Sequence, residues 1–320
     1  METGRELFNQ FLKGEPLSRP AYVPLLRGLT ARVGGHSAET VYSDPTLWAN
    51  SLLKTAELFN FDGVVAGFDF SLMAEACGCR LRWENDRPVC SALSGELCQT
   101  PEASGRMKNA LEAAGRVFQT CRRQRACIGA LTGPVTLARQ LFGPEEAQNH
   151  LPEVKELVVR VAEAFCQTRP DVLVFMEGRP LASVKPDLTQ RRLYQTLKNI
   201  TGYYNLFNAL YLQGYAAEEV AAFAALKMDI YILGPSEDKS LPPLSAIWDL
   251  GAEARGIGLS LPLDHIDQAR EIIRQGLEWY QAKGRRSFFF TSFGPVTRDV
   301  SLESLQQLIR EISQVRMAAE

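Results

Sequence analysis

Asp69 lies between Phe68 and Phe70 in the run Gly67-Phe-Asp-Phe-Ser-Leu-Met73. An ionised carboxylate in such apolar company must pair with a base, such as Arg27, or hold a ligand, because burying it alone is strongly unfavourable. Other reactive side chains also follow short apolar runs: Thr132-Gly133, Glu177 with Arg179, Tyr211 with Gln213, Asp264-His265, and Ser292. Asp69, Glu177, Tyr211 and Gln213 are the candidate catalytic residues, suited to polarising or protonating a leaving group. Arg27, Arg32, Thr132, Gly133, Arg179, Asp264 and Ser292 are candidate substrate-binding residues, with the arginines suited to an anionic moiety. Several have plainer readings. Asp264 can cap the helix that starts beside it, and Glu177 with Arg179 can form a rim ion pair worth little.

These residues need elements that bring them together. In Ala126–Gly143, ACIGALTGPVTLARQLFG, a buried strand gives way to a Thr-Gly-Pro turn and a helix opening at Val135 or Thr136. Gly133 lets the backbone turn tightly, and Pro134 suits the first turn of a helix. Similar apolar runs at Tyr22–Leu26, Gly63–Phe68, Ala126–Leu131, Val172–Glu177, Ala209–Gln213, Asp229–Leu233, Gly256–Leu261 and Arg286–Thr291 read as strands buried on both faces.

Amphipathic segments separate these runs. Thr3-x-x-Glu6 forms a capping box, while Asp44-Pro45 and Ser301 mark further helix starts. Eight such alternations predict a single-domain (β/α)8 TIM barrel over residues 1–320. A β-hairpin spans Arg80 to Ser91, turning at Glu84-Asn85-Asp86. After the first run stands only Gly34-Gly35, with no dinucleotide-binding fingerprint. In a barrel, the reactive residues share the face at the C-terminal ends of the strands.

Composition narrows the function classes. The chain has 320 residues, 46% of them hydrophobic and 22% charged, and a net charge of −2, which gives no basic field for nucleic acid or anionic membrane. It has no apolar run of transmembrane length and no signal-peptide pattern, so a cytoplasmic location is expected. Seven cysteines fit a reducing compartment and free thiols. Cys77, Cys79, Cys90 and Cys98 cluster in sequence without the paired knuckle of a zinc site, so no metal is expected.

The Gly133-Pro-x-Thr-Leu137 segment resembles the uroporphyrinogen decarboxylase superfamily, and other motifs follow in the same order. RELFNQFLKGEP (Arg5–Pro16) is similar to its opening helix. Phe61-Asp-Gly63 with Phe68–Gly78 is similar to its aspartate segment, and Phe288–Leu305 to its last strand and helix entry. The resemblance implies a barrel and either decarboxylase or corrinoid-linked methyltransferase chemistry. The decarboxylases' arginine loop corresponds to Arg27-Gly-Leu-Thr-Ala-Arg32, and their aspartate to Asp69. Their tyrosine is replaced by Gln140, and their Gly-His-Gly by Ser292-Phe-Gly-Pro295. The zinc-dependent members' His-x-Cys pair is replaced by Tyr211 and Gln213, and no cysteine follows Cys166. The resemblance therefore implies a methyltransferase component without tightly bound cofactor. It would pass methyl between a small substrate, such as a methoxylated aromatic, and a corrinoid (cobalamin) carried by a partner protein. The alternatives are decarboxylation of uroporphyrinogen or a related polycarboxylate, and a non-catalytic small-molecule-binding barrel. A homodimer is compatible with each.

Overall fold

Seven parallel strands form one curled sheet in the order β1-β4-β5-β6-β7-β8-β9. Their ranges are Gly63–Ala66 (β1), Ala126–Thr132 (β4), Val172–Gly178 (β5), Phe207–Gln213 (β6), Ile230–Leu233 (β7), Gly256–Leu261 (β8) and Phe288–Ser292 (β9). Cys79–Glu84 (β2) and Arg87–Leu93 (β3) form the separate antiparallel hairpin. The computed structural model describes residues 2–93, 95–178, 186–282 and 287–317. Helices cover the outer surface of the sheet, giving the expected TIM-barrel architecture.

The expected first strand, Tyr22–Leu26, is not a regular one. It contributes isolated parallel bridges from Tyr22 to Phe290 and from Leu26 to Val296. Pro24 explains the interruption, since it has no N–H to donate to a ladder. The segment still fills the gap between the two edge strands. Val23 donates to the Phe290 carbonyl at 2.8 Å, and Asp62 donates to the Tyr22 carbonyl at 3.1 Å. Ser292 Oγ accepts from the Leu25 N–H at 2.9 Å, so a side chain stands in for a missing backbone partner. The ring is thereby closed.

The N-terminal helix Gly4–Lys13 has the expected capping box between Thr3 and Glu6. It lies across the opposite end, where Phe8 and Phe11 meet the Phe289 ring edge-on at centroid distances of 5.5 and 5.1 Å. Phe288 packs outward against Trp279 and Tyr280 of the helix Ile266–Ala282. Alternation along β9 therefore sends Phe289 and Thr291 into the barrel. With one end plugged by aromatic rings, the C-terminal ends of the strands remain as the open face.

The hairpin turns where expected. Asn85 and Asp86 have φ of 49° and 60°, the left-handed pair that a two-residue type I′ turn requires. The helix expected to open at Val135 or Thr136 begins one position earlier, at Pro134. Among the described residues, no helix is long and apolar enough to cross a membrane.

Candidate active site

Asp69 follows β1 and is buried. Its Oδ1 accepts from the Ser71 N–H and Oγ at 2.8 and 2.7 Å, and its Oδ2 accepts from Arg106 Nη1 at 2.8 Å. The base paired with Asp69 is thus Arg106, not Arg27. Arg106 lies on the helix Gly105–Cys121 and is 4% exposed. Its Nε also binds Glu75 at 2.6 Å, its Nη2 binds Ser71 Oγ at 2.8 Å, and its guanidinium lies 5.2 Å from the Trp83 ring of the hairpin. Burial disfavours its charge, but Asp69 and Glu75 together outweigh that and raise its pKa. Complete pairing is what makes so buried a cation tolerable.

Arg27 closes the bridging segment and is half-buried. Burial pushes its pKa down, and the nearby Asp69 opposes that shift. Its guanidinium makes no hydrogen bond or ion pair with the described residues, while its carbonyl accepts from the Tyr42 hydroxyl at 2.7 Å. It lines a cleft of about 910 Å³ with the hairpin tip (Glu84, Asp86, Arg87) and the loop carrying Arg298 and Asp299.

Glu177, at the end of β5, is fully buried. Val135 N–H donates to it at 3.1 Å and Thr136 N–H at 2.7 Å, and the hydroxyls of Thr136 and Tyr194 donate as well. The carboxylate thus receives the free N–H groups of the helix Pro134–Glu146, where a negative charge is favoured. Burial raises its pKa, against the pull of these four donors. Gly133 has a steric reason: a Cβ there would collide with the Glu177 carboxylate. The turn that carries the family resemblance is therefore built around Glu177, which faces donors from every side.

A second cleft, of about 720 Å³, opens between β5, β6 and β7. Phe70, Thr136, Gln140, Gly178, Gln213, Pro235, Ser236 and Lys239 are among its lining residues. Tyr211 lies beneath it, fully buried, with its ring edge-on to Phe68 at 5.1 Å. Burial pushes its phenol pKa up. The Tyr211 hydroxyl donates to Gln213 Oε1 at 3.1 Å, which turns Nε2 towards Gly178, where a Cβ would sit 3.3 Å from it. Gln140 Nε2 donates to the Phe70 carbonyl at 3.1 Å, and Thr132 Oγ1 donates to the same oxygen at 3.2 Å. Gln140 Oε1 is buried without a partner among the described residues.

The expected site residues therefore separate. Gln213 reaches the neutral cleft, with Tyr211 behind it, while Arg27 reaches the hairpin cleft and Asp69 lies between layers. Thr132, Gly133, Glu177 and Ser292 hold the scaffold, and Ser292 also donates to the Gly294 carbonyl at 2.7 Å. Arg32 is exposed and binds the carbonyls of Arg298 and Val300 at 3.2 and 3.0 Å. Asp264 is exposed, two residues before its helix begins at Ile266. Arg179 lies outside the described residues. Sequence reading missed Arg106, 37 residues from its partner, because no local spacing signals such a pair. It also missed Thr136, Ser236 and Lys239 as lining groups.

No group of three His, Cys, Asp or Glu that could hold a metal occurs among the described residues. All seven cysteines are free thiols. Tyr211 and Gln213 offer no thiolate or imidazole, so the cleft does not fit a zinc-thiolate centre.

A family profile for uroporphyrinogen decarboxylase matches residues 3–173. A search of curated protein sequences finds no match. Among solved structures, a methyltransferase from Methanosarcina mazei is similar at 18% identity and a TM-score of 0.74, covering 98% of this chain and 99% of that one. A B12-independent methionine synthase from Shewanella sp. W3-18-1 matches at 12% identity and a TM-score of 0.60, over 92% of this chain and 95% of that one. A putative vitamin-B12 independent methionine synthase from Listeria monocytogenes matches at 11% and 0.59, over 95% and 99%. At these identities the likeness is one of fold.

Proposed function

Because the chain belongs to the uroporphyrinogen decarboxylase family, we propose that it is a methyltransferase component whose methyl-donor site is the cleft between β5, β6 and β7. The observation that carries this reading is the lining of that cleft. Its wall carries two glutamines, a threonine, a serine and an aromatic ring, with Lys239 and Glu237 as one cation and one anion among its described lining residues. Such a surface suits a small, uncharged, partly aromatic donor rather than a molecule with many carboxylates.

In this reading, the donor lies against Phe70 with its methyl-bearing heteroatom facing Gln213 Nε2. The bond from methyl carbon to heteroatom breaks, the methyl group passes to a nucleophilic acceptor, and the electron pair stays on the heteroatom. Gln213 stabilises the charge that develops there, and the Tyr211 hydroxyl on its other amide atom fixes which end points outward. Lys239, at the rim, is placed to return a proton to the leaving group. A corrinoid on a separate partner protein supplies the accepting nucleophile when bound. This chain's own part is to bind, orient and polarise the donor. We place the enzyme in the cytoplasm, acting alone or as a homodimer.

Arg27 supports a second reading, decarboxylation of a polycarboxylate. Its guanidinium, without a partner among the described residues, lines the hairpin cleft and is suited to a substrate anion. The two readings are separated by supplying a methoxyarene with a reduced corrinoid protein, and uroporphyrinogen in a parallel reaction. Methyl transfer without loss of uroporphyrinogen supports the first reading, and the reverse result supports the second. Thermal stabilisation by the methoxyarene with neither product identifies a non-catalytic binding barrel.

A further inference from the structure

A cavity of about 600 Å³ lies at the end of the barrel opposite the candidate active site. Its wall comes from residues that precede their strands: Asp62 before β1, Arg125 before β4 and Arg19 before the bridging segment. The start of the N-terminal helix and the C-terminal Arg316 complete it. Three guanidinium groups meet there. Arg19 pairs with Asp62 through two bonds of 2.8 and 2.7 Å, and Asp62 also accepts from the Tyr22 N–H at 2.8 Å, so that carboxylate is fully used. Glu2, the second acid of the lining, accepts from Ser18 Oγ at 2.5 Å. Arg125 donates to the Ala56 carbonyl at 3.2 Å and to Gln124 Oε1 at 3.3 Å. Arg316 donates through Nη1 to the carbonyls of Ser313 and Val315 at 2.8 and 3.1 Å. Neither Arg125 nor Arg316 is paired with a carboxylate among the described residues.

We infer that this cavity binds a phosphate group, free or as the monoester of a small polar molecule. Two guanidinium groups without anions repel each other across one cavity, and a doubly charged oxyanion between them removes that repulsion. The planar fork of arginine matches phosphate geometry, and Arg316 Nη2 has no other partner among the described residues. Beyond the arginines, Thr3, Asn60 and Gln124 offer polar side chains that suit hydroxyl groups. Phe61, the aromatic residue among the described lining, is 2% exposed and stacked on Phe59 at 5.5 Å, so it offers no ring face to a nucleobase. The volume leaves room for a small hydroxylated body beside the phosphate. Because the cavity lies away from the open face, its ligand ties the chain together and takes no part in the reaction at the mouth. Met317 N–H donates to the Ser18 carbonyl at 3.1 Å and holds the C-terminal segment beside Arg19. A phosphate between Arg125 and Arg316 adds a second tie from that segment to the barrel.

Calorimetric titration in a low-salt buffer free of phosphate, with inorganic phosphate, ribose 5-phosphate and ribose as probes, tests the site. Wild type should bind both phosphates and not ribose, and each phosphate should raise the thermal midpoint. Arg316 is exposed, so Arg316→Met should match wild type in thermal midpoint without ligand. It should nevertheless weaken phosphate binding about tenfold or more, the effect expected when a hydrogen bond between charged groups is lost. Arg125→Met should weaken binding to a similar extent. Arg27→Met, at the other end of the barrel, should leave phosphate affinity unchanged. Tighter binding of ribose 5-phosphate identifies a monoester as the ligand, tighter binding of inorganic phosphate identifies the free ion, and either result supports the site. No phosphate binding by wild type, unchanged affinity in both Arg125→Met and Arg316→Met, or a loss confined to Arg27→Met overturns the inference.

Discussion

On the hairpin side of the barrel mouth, Asp69, Ser71, Glu75 and Arg106 bind one another so fully that little capacity remains for a ligand. On the β5–β7 side, Gln140 and Gln213 each spend one end of an amide on the scaffold and keep the other. The first arrangement is rich in charge yet closed to new partners. The second balances Lys239 against Glu237 and leaves the Gln213 amide donor on its Gly178 side. Conspicuous charge at a barrel mouth is therefore a poor guide to chemistry until its partners are counted.

The largest effect should come from the closed network. Arg106→Met leaves Asp69 and Glu75 buried without their cation, and should lower unfolding stability by about 3–5 kcal/mol in denaturant titration. Arg27→Met removes a guanidinium with no partner among the described residues and should be neutral or slightly stabilising. Equal losses at the two positions would erase the distinction between paired and unpaired arginine.

Glu177→Gln comes next. The amide sets a donor against the donors of Val135, Thr136 and Tyr194, at a loss of about 1–3 kcal/mol. The pH dependence adds a signature. Burial raises the Glu177 carboxyl above its ordinary 4.5, so the folded protein binds that proton more tightly than the unfolded chain does. That contribution is complete below the ordinary value and is lost as pH rises through the raised one. The stability advantage of wild type over Glu177→Gln should therefore shrink as pH rises above that ordinary value. A difference independent of pH would show that Glu177 does not titrate in this window.

The smallest effect belongs to the open side. Tyr211→Phe frees the Gln213 amide to flip and should reduce methyl transfer about tenfold through the loss of one orienting hydrogen bond. Its stability should change far less than that of Arg106→Met. An unchanged rate would mean that the amide is held by something other than the phenol.

Much of this framework is legible in the sequence because its causes are local. The Thr3–Glu6 box, the Asn85-Asp86 turn and the all-buried strand Ala126–Thr132 follow from propensity, capping and apolar runs. Tyr22–Leu26 is legible as a barrel position but not as broken pairing, although Pro24 gives the signal. The roles of the site residues are much less legible. Nothing local says that Asp69 is paired with Arg106, or that Glu177 gathers three donors from the start of the preceding helix Pro134–Glu146 and a fourth from Tyr194. Gln140 shows the same limit. It is visible as a departure from the family's tyrosine, yet its free oxygen depends on the Phe70 carbonyl, 70 residues away.

The most direct test of the neutral cleft as the methyl-donor site is the single-turnover rate of methyl transfer from 2-methoxyphenol to a reduced corrinoid protein, compared between wild type and Gln213→Leu. Removing the free amide donor should slow transfer about tenfold to a hundredfold while the thermal midpoint stays close to that of wild type. Equal rates in the two proteins, or loss of transfer in Arg27→Met with Gln213→Leu unaffected, would contradict the account and move the chemistry to the hairpin side.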